Sequence, residues 1–247
     1  MKKRNKYLLL VSLFIWIPLL ADAQHGTIQE SLVVDSSILE EDVQYSIYLP
    51  PDYEESNRNY PVLYLLHGFT DDETGWIQFG QTKAIADKHL KSVDVASMII
   101  VMPDAGVSWY VNNYNGEVRY EDFFVEEFIP HIDETYRTRP QKEFRAVAGL
   151  SMGGYGTLIM AMKHPDLFAA AAPLSAGVLT REEVTEMEVE NWNNVFGPVF
   201  GEDLEGEERL TDHYMDNSIL QLVENGESES LGSVQYYIDC GDKDFLI

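Results

Sequence analysis

Short apolar runs and longer helical patterns alternate along most of this 247-residue chain. Stretches rich in β-branched and aromatic residues predict strands in VQYSIYLP, PVLYLLHG, MIIVMPDAG, FRAVAGLS, FAAAAPLSA and VQYYIDCG. Helices are predicted in QTKAIADKHLK, YEDFFVEEFIPHIDETY and MGGYGTLIMAMKHP, and within residues 181–195 and 211–224. This alternation predicts an α/β fold, with a mostly parallel central sheet that helices cover on both faces. Function is then expected in loops at the carboxyl ends of the strands.

The first 23 residues have the pattern of a signal peptide. A basic start, MKKRNK, precedes the apolar run YLLLVSLFIWIPLLADA, and Ala21-Asp22-Ala23 matches a small-x-small cleavage site. We therefore expect a secreted or periplasmic protein whose mature chain begins near Gln24, with no stable membrane insertion after cleavage. An uncleaved membrane anchor is the alternative, because the stretch is almost long enough to span a bilayer. Residues 24–247 are predicted to form one globular domain, since 45% of the chain is hydrophobic.

Charge and cysteine content narrow the function classes further. The formal net charge is −25, so the surface would repel nucleic acid. The acidic excess in REEVTEMEVEN and GEDLEGEER is typical of a solvated helical face and loop. Cys240 is the one cysteine, which excludes an internal disulfide and a multi-cysteine metal site. We expect it to be a small buried residue at a strand end.

The segment VAGLSMGGYG contains a candidate nucleophile. Gly149-Leu150-Ser151-Met152-Gly153 matches G-x-S-x-G, follows a predicted strand and opens a predicted helix. This is the context of a nucleophile elbow, in which the serine occupies a sharp turn and its glycine neighbours avoid collisions with the strand and helix. A serine in an ordinary tight turn is the alternative, because the bare motif occurs by chance in some chains.

The segment LLHGFTDDETGW predicts the other half of such a site. In an α/β-hydrolase, the loop after the third strand and the residue after the nucleophile each supply a backbone N–H to the oxyanion hole. These positions are Phe69 and Met152. His67 precedes the nucleophile, whereas this fold orders its triad as serine, acid, histidine. We therefore predict that His67 holds the loop by hydrogen bonds and is not the base.

Five motifs in one order resemble an esterase family of α/β-hydrolase fold. They are LLHGFTDDETGW, MPDAGVSWYVN, YEDFFVEEFIPHIDETY, GLSMGGYGTLIMAMKHPDLFAAAAPLSA and IDCGDKDFL, and the resemblance runs from about residue 40 to the last residue. The family includes feruloyl and acetylxylan esterases of carbohydrate esterase family 1, S-formylglutathione hydrolase and mycolyltransferases. The resemblance implies Ser151 as nucleophile, Phe69 and Met152 as oxyanion donors, and Asp244 as acid. Asp242 is the alternative acid, ranked lower because the family's acid lies three residues beyond the glycine, here Gly241.

One part of the family pattern is missing. The resemblance implies a histidine base that follows the acid, but every histidine of this chain precedes Asp244. We expect a truncated sequence in which the base and the last elements of the fold lie beyond residue 247, and low activity of the chain as printed. The implied reaction is ester hydrolysis through an acyl-enzyme, with no cofactor and no metal.

The substrate is less constrained than the reaction. The aromatic, amide-rich stretch SWYVNNYNG predicts that Trp109 and Tyr110 stack on a sugar or aryl ring, with Trp76 and the segment NWNNVFGPVFG as further lining. A packed loop with an aromatic plug is the alternative. We expect a small-molecule or polysaccharide ester of feruloyl or acetyl type. A general short-chain carboxylesterase, an S-formylglutathione hydrolase-like thioesterase or acyltransferase, and a non-catalytic carbohydrate-binding protein remain alternatives.

Overall fold

The computed structural model describes residues 25–91, 95–226 and 228–244. The predicted signal peptide, residues 1–23, lies outside the described residues. Within the described ranges, no helix is both long enough and apolar enough to cross a membrane.

The described strands form one mixed, mostly parallel sheet. They are β1 (Thr27–Ser36), β2 (Glu41–Leu49), β3 (Val62–Leu66), β4 (Ile99–Pro103), β5 (Arg145–Leu150), β6 (Ala170–Leu174) and β7 (Gln235–Tyr236), in the spatial order β1-β2-β4-β3-β5-β6-β7. The pairs β1–β2 and β2–β4 are antiparallel, and the other pairs are parallel. The predicted α/β fold and all six predicted strands are confirmed. The sequence patterns missed β1, an edge strand with mostly exposed residues.

Helices occupy the connections between the strands. They are α1 (Gly75–Gln78), α2 (Thr82–Lys91), α3 (Tyr120–Asp122), α4 (Ile129–Thr135), α5 (Met152–Lys163), α6 (Arg181–Glu186), α7 (Val189–Val195), α8 (Gly197–Phe200), α9 (Asp212–Asn217), α10 (Ile219–Asn225) and α11 (Ser228–Leu231). A π-helical segment, Phe123–Phe128, joins α3 to α4, and 3₁₀ turns span Lys142–Phe144 and Gly206–Arg209. The predicted helices are confirmed.

The central strands β3, β4 and β5 are buried because helices cover both faces of the sheet. On one face the aromatic rings of the π-helical segment pack on β3, with the ring of Tyr64 5.4 Å from that of Phe124 and 6.1 Å from that of Phe128. Helix α5 is buried from Met152 to Ala161, as is usual for a helix that is apolar on all sides. This burial fixes the start of α5 against the sheet, at the carboxyl end of β5.

The edge formed by β7 differs from the sequence expectation at one residue. Cys240, for which the sequence predicts burial, is exposed. Strand β7 pairs with β6 at Gln235 and Tyr236, an isolated bridge joins Leu174 to Asp239, and β7 lies at the edge of the described sheet. In the described residues no further strand covers Cys240, so the prediction of burial was wrong.

Candidate active site

Ser151 occupies a strained turn between β5 and α5. Its backbone angles are φ 57° and ψ −115°, a combination that a residue other than glycine adopts rarely and at a cost. The Ser151 N–H donates to Leu174 O at 3.0 Å, and the Ser151 carbonyl accepts from Tyr155 at 2.9 Å and from Gly177 at 3.1 Å. These three bonds hold the turn in place, so the half-buried Ser151 side chain stands at the carboxyl edge of the sheet.

The glycines around Ser151 allow the close approach of backbone segments. A Cβ at Gly149 would lie 2.5 Å from the carbonyl carbon of Gly153, and a Cβ at Gly154 would lie 2.8 Å from Leu174 O. A Cβ at Gly153 would lie 2.6 Å from His67 O. Real Cβ atoms do not approach backbone atoms so closely, so each glycine is required sterically. The turn therefore has the strand–serine–helix geometry of a nucleophile elbow.

The loop after β3 passes beside Ser151. A Cβ at Gly68 would lie 3.8 Å from the Ser151 Cβ, which places this loop in contact distance of Ser151. Phe69 follows directly, and Met152 is the first residue of α5, whose N–H has no acceptor within the helix. The structure thus brings the loop of Phe69 and the start of α5 to Ser151, where both were predicted to donate to an oxyanion. Their roles as donors stay predictions.

Hydrogen bonds from buried groups fix the Phe69 loop. The Nδ1 of His67 lies 2.8 Å from Gly68 O, and Ala105 N donates to His67 Nε2 at 2.9 Å. Because a carbonyl only accepts and an amide N–H only donates, His67 carries its proton on Nδ1. The imidazole is 1% exposed and both ring nitrogens are engaged, so the predicted loop-holding role is confirmed.

The side chain of Trp76 also fixes the Phe69 loop through a hydrogen bond. Its Nε1 donates to Leu66 O at 2.8 Å, and its ring lines an apolar pocket of about 320 Å³ between α2 and strands β3 and β4. Ser151, Phe69 and Met152 do not line that pocket. The structure therefore places Trp76 as a support of the loop, away from the position predicted for a substrate ring.

Asp244 lies beside the elbow, and Asp242 does not share its environment. The Ser175 hydroxyl donates to Asp244 Oδ2 at 2.7 Å, and Ser175 directly follows Leu174, the acceptor of the Ser151 N–H. Asp244 is half-buried, whereas Asp242 is exposed in the turn that precedes it. This placement favours Asp244 over Asp242 as the acid. Ser175 was missed at the sequence level, because no motif marks a serine at the end of β6.

The aromatic loop after β4 is packed into the protein. Trp109 is 4% exposed, its ring stacks on Phe196 with centroids 4.7 Å apart, and its Nε1 donates to Val195 O at 2.9 Å. The Trp109 ring also lies 6.2 Å from the ring of Phe69. The open alternatives for this loop were a stacking surface and an aromatic plug, and the burial of Trp109 fits the plug.

Tyr110 is buried more deeply than its neighbour. It is 0% exposed, and its hydroxyl donates to His67 O at 3.0 Å. Burial raises the pKa of Tyr110 well above its ordinary value, so the phenol stays protonated as a donor. A fully buried ring offers no face to a sugar or aryl group, so the burial of Tyr110 favours the packed-loop alternative over a substrate contact.

Asp104 lies beside His67. Its Oδ1 lies 3.5 Å from His67 Nε2 and accepts from Gly106 N at 2.8 Å. Burial alone would raise the pKa of Asp104, but the hydrogen bond from the Gly106 N–H favours the carboxylate, and the net pKa is lowered. Asp104 is therefore an anion that fixes the loop after β4 through Gly106.

Apart from His67, whose two ring nitrogens are engaged in the loop beside Ser151, the described histidines have partners or surroundings away from Ser151. His25 contacts Asp87 at 2.9 Å, His131 contacts the Tyr45 hydroxyl at 3.3 Å, and His164 contacts Glu121 at 2.8 Å. His89 lines the apolar pocket beneath α2, and His213 packs on Phe200, with rings 5.8 Å apart.

Sequence comparison identifies the family. Residues 36–245 match the family described as "Putative esterase". The chain belongs to this esterase family. The esterase relatives include an endo-1,4-beta-xylanase/feruloyl esterase of Xylanibacter ruminicola, 31% identical over 67% of this chain and 24% of that protein. An S-formylglutathione hydrolase of Bos taurus is 27% identical over 63% of this chain and 60% of that protein. The chain thus spans about a quarter and about three fifths of the lengths of these two relatives.

Solved structures show the same fold. A ferulic acid esterase is 30% identical with a TM-score of 0.73, covering 90% of this chain and 81% of that one. A fluorophosphonate-binding serine hydrolase of Staphylococcus aureus is 26% identical with a TM-score of 0.72, covering 90% of this chain and 82% of that one. The esterase fold predicted from the motifs is confirmed. None of these comparisons tests the roles of individual residues.

Proposed function

We propose that the protein is a serine carboxylic-ester hydrolase that works through an acyl-enzyme. The Ser151 hydroxyl attacks the ester carbonyl, and the N–H groups of Phe69 and Met152 stabilise the negative charge that forms on the carbonyl oxygen. Asp244 orients the base, which takes the Ser151 proton and passes it to the departing alcohol as the ester C–O bond breaks. Water then attacks the acyl-enzyme and releases the acid from Ser151. The observation that carries the proposal is the strained Ser151 elbow at the start of α5, with Asp244 held beside it through Ser175.

We propose carbohydrate-linked or aryl esters, of feruloyl or acetyl type, as the substrate class. The names of the xylanase/feruloyl esterase and of the ferulic acid esterase support this class. A second candidate is a short-chain ester or an S-formylglutathione-type thioester. One feature of the structure favours it, because the buried Trp109 fills space next to Phe69 that a bulky acyl group would need. Hydrolysis of methyl ferulate against p-nitrophenyl acetate separates the two.

The nucleophile assignment has a direct test. Fluorophosphonate labelling and p-nitrophenyl acetate hydrolysis by the natural protein, as its gene encodes it, should both be lost in Ser151→Ala. Ser56→Ala is the matched control, since its hydroxyl contacts Tyr60 and lies in another loop. Labelling that persists in Ser151→Ala would show that another residue is the nucleophile.

We also propose that none of the described histidines is the base. Residues 24–247 should then hydrolyse p-nitrophenyl acetate at least ~10³-fold more slowly than a polypeptide that also carries a histidine loop after Asp244, because triad members act as a unit. Equal turnover by the two forms would identify one of the six histidines as base and would remove the reason for choosing Asp244.

Export is proposed on the sequence pattern of residues 1–23. The intact mass of the protein in a periplasmic fraction should correspond to a chain that begins near Gln24. Retention of residues 1–23 would favour the membrane-anchor alternative.

A further inference from the structure

The residues that follow β6 connect Ser151 to residues 237–244, the loop that carries Asp244, which we name the acid loop. Leu174 O accepts the Ser151 N–H at 3.0 Å, and the Gly177 N–H returns to Ser151 O at 3.1 Å. The segment 174–177, which we name the bridge segment, therefore grips the elbow from both sides. A Cβ at Gly154 would lie 2.9 Å from Ala176 Cα, so helix α5 also packs directly on this segment.

Ser175 of the bridge segment holds the acid loop at two points. The Ser175 N–H donates to Asp239 O at 2.8 Å, and the Ser175 hydroxyl donates to Asp244 Oδ2 at 2.7 Å. The Asp244 N–H in turn donates to Gly241 O at 3.0 Å, which closes the loop that carries the acid. Backbone and side chain of Ser175 thus engage the two ends of the same loop.

The backbone of Ser175 has a strained conformation. Its φ is 41°, in the left-handed region that glycine adopts freely and other residues adopt at a cost. Glycine would suit the backbone better, so what serine contributes here is its hydroxyl. That hydroxyl makes a short hydrogen bond to a carboxylate, and bonds of this kind are stronger than neutral ones.

We propose that Ser175 is a positioning residue for the acid of the esterase. By anchoring Oδ2, its hydroxyl sets the plane of the Asp244 carboxyl group, and hence the direction in which that group meets the base. The bridge segment then ties this orientation to the position of Ser151. The proposal rests on the proposed esterase function. The hydrogen bond from Ser175 to Asp244, on which it depends, can however be tested without an activity assay.

Two variants separate the hydroxyl from the backbone. Ser175→Ala removes the hydroxyl and keeps the strained φ, whereas Ser175→Gly removes both the hydroxyl and the strain. In the natural protein we expect both to lower kcat for p-nitrophenyl acetate by about 10- to 100-fold, the loss typical of a misplaced catalytic group, with KM within about twofold of wild type. Ser175→Gly should unfold at a higher temperature than Ser175→Ala. If Ser175 only supports the fold, the more stable Ser175→Gly variant should instead retain wild-type activity. Ser56→Ala is the hydroxyl control.

The carboxyl titration of Asp244, followed by NMR, provides the second readout. Loss of a donor to an ionised carboxyl group disfavours the charged form, so both variants should raise the pKa of Asp244 by about one unit relative to wild type. Asp239, Asp242 and Lys243 are the other charged residues of this loop, and they are unchanged in the comparison.

The outcomes distinguish this inference from the esterase proposal. If wild-type protein shows no turnover that depends on Ser151, the proposed function is wrong, and the NMR titration still decides the role of Ser175. An unchanged pKa of Asp244 in Ser175→Ala overturns the inference, as does a Ser175→Gly variant with wild-type kcat. A raised pKa together with a lowered kcat supports it.

Discussion

Replacing Gly153 by alanine tests how tightly the elbow packs on the loop after β3. The added Cβ would lie 2.6 Å from His67 O and from the carbonyl carbon of Leu66, and closer still to Leu66 O. Non-bonded contacts of this kind have their optimum near ~3.5 Å, so the helix and the strand end must separate by about 1 Å. The atoms are backbone, and no side-chain rotation relieves the overlap.

Two effects of opposite sign act on the stability of this variant. Alanine is the better helix former by up to ~1 kcal/mol, which alone would stabilise the start of α5. Overpacking in a well-packed interior costs about 1–3 kcal/mol, and a clash with backbone belongs at the upper end. We therefore expect a net destabilisation of about 2 kcal/mol, which lowers Tm by about 4–8 °C for a chain of this size.

Urea unfolding followed by far-ultraviolet circular dichroism measures this difference, and Gly68→Ala is the matched control. A Cβ at Gly68 would lie 3.6 Å from Leu150 O and 3.8 Å from Ser151 Cβ, which is ordinary contact. The control should stay within about 0.5 kcal/mol of wild type. If Gly153→Ala is as stable as Gly68→Ala, the elbow and the loop do not pack as the structure shows, and the steric reason given for the G-x-S-x-G spacing is wrong.

Three further predictions concern the core and its charges. Arg145→Met should lower the free energy of unfolding by about 3–5 kcal/mol in urea titrations, because it leaves the Asp133 carboxylate, now 2.7 Å from the guanidinium, without its buried partner. Trp109→Ala should cost about 3–5 kcal/mol in the same assay if the ring is a plug stacked on Phe196, and less than ~1 kcal/mol if it is a substrate surface. Burial would raise the pKa of Asp87, but hydrogen bonds from a lysine, a backbone N–H, a histidine and a tyrosine lower it to about 2. A lowered folded pKa adds stability above pH ~4 that is lost as the pH falls toward 2, so Asp87→Asn should reduce the acid-induced loss of stability by about 2 kcal/mol.

The sequence predicted the buried strands at the centre of the sheet, because a short apolar run marks each of them. The runs around β3, β4 and β5 are apolar because helices cover both faces of these strands, and this pattern identifies parallel strands. Strand β1 was missed because its residues are mostly exposed at the sheet edge, so no apolar run marks it. Cys240 was misplaced for the related reason that the strand before it is short and lies at the edge of the described sheet.

For the candidate site, the motif located the elbow, where backbone geometry requires particular residue types. Ser151 and its glycines were identified because close backbone approach demands glycine at fixed positions. Ser175 was not identified, since its contact with Asp244 joins residues 69 positions apart that only the sheet brings together. The burial of Tyr110 disfavours the stacking role predicted for it, since composition shows that a loop is aromatic but does not show which way its rings point.

Backbone strain occurs at Ser31, Gln81 and Asp203 and also at the carboxyl edge of the sheet, where the proposed function places the active site. Each of the four neighbouring strands β4, β3, β5 and β6 is followed by a non-glycine residue with positive φ: Tyr110 at 60°, Thr70 at 65°, Ser151 at 57° and Ser175 at 41°. Conformations of this kind cost on the order of 1–3 kcal/mol each and persist only where surrounding bonds hold them. Hydrogen bonds hold three of the four residues: the Tyr110 hydroxyl donates to His67 O, the Ser151 N–H to Leu174 O, and the Ser175 N–H to Asp239 O. A fold that gains nothing from these side chains would place glycine at such positions. On the proposed function the side chains account for this strain: Ser151 would present the nucleophile and Ser175 would position the acid, while the Tyr110 hydroxyl bonds to His67 O in the loop that carries Phe69.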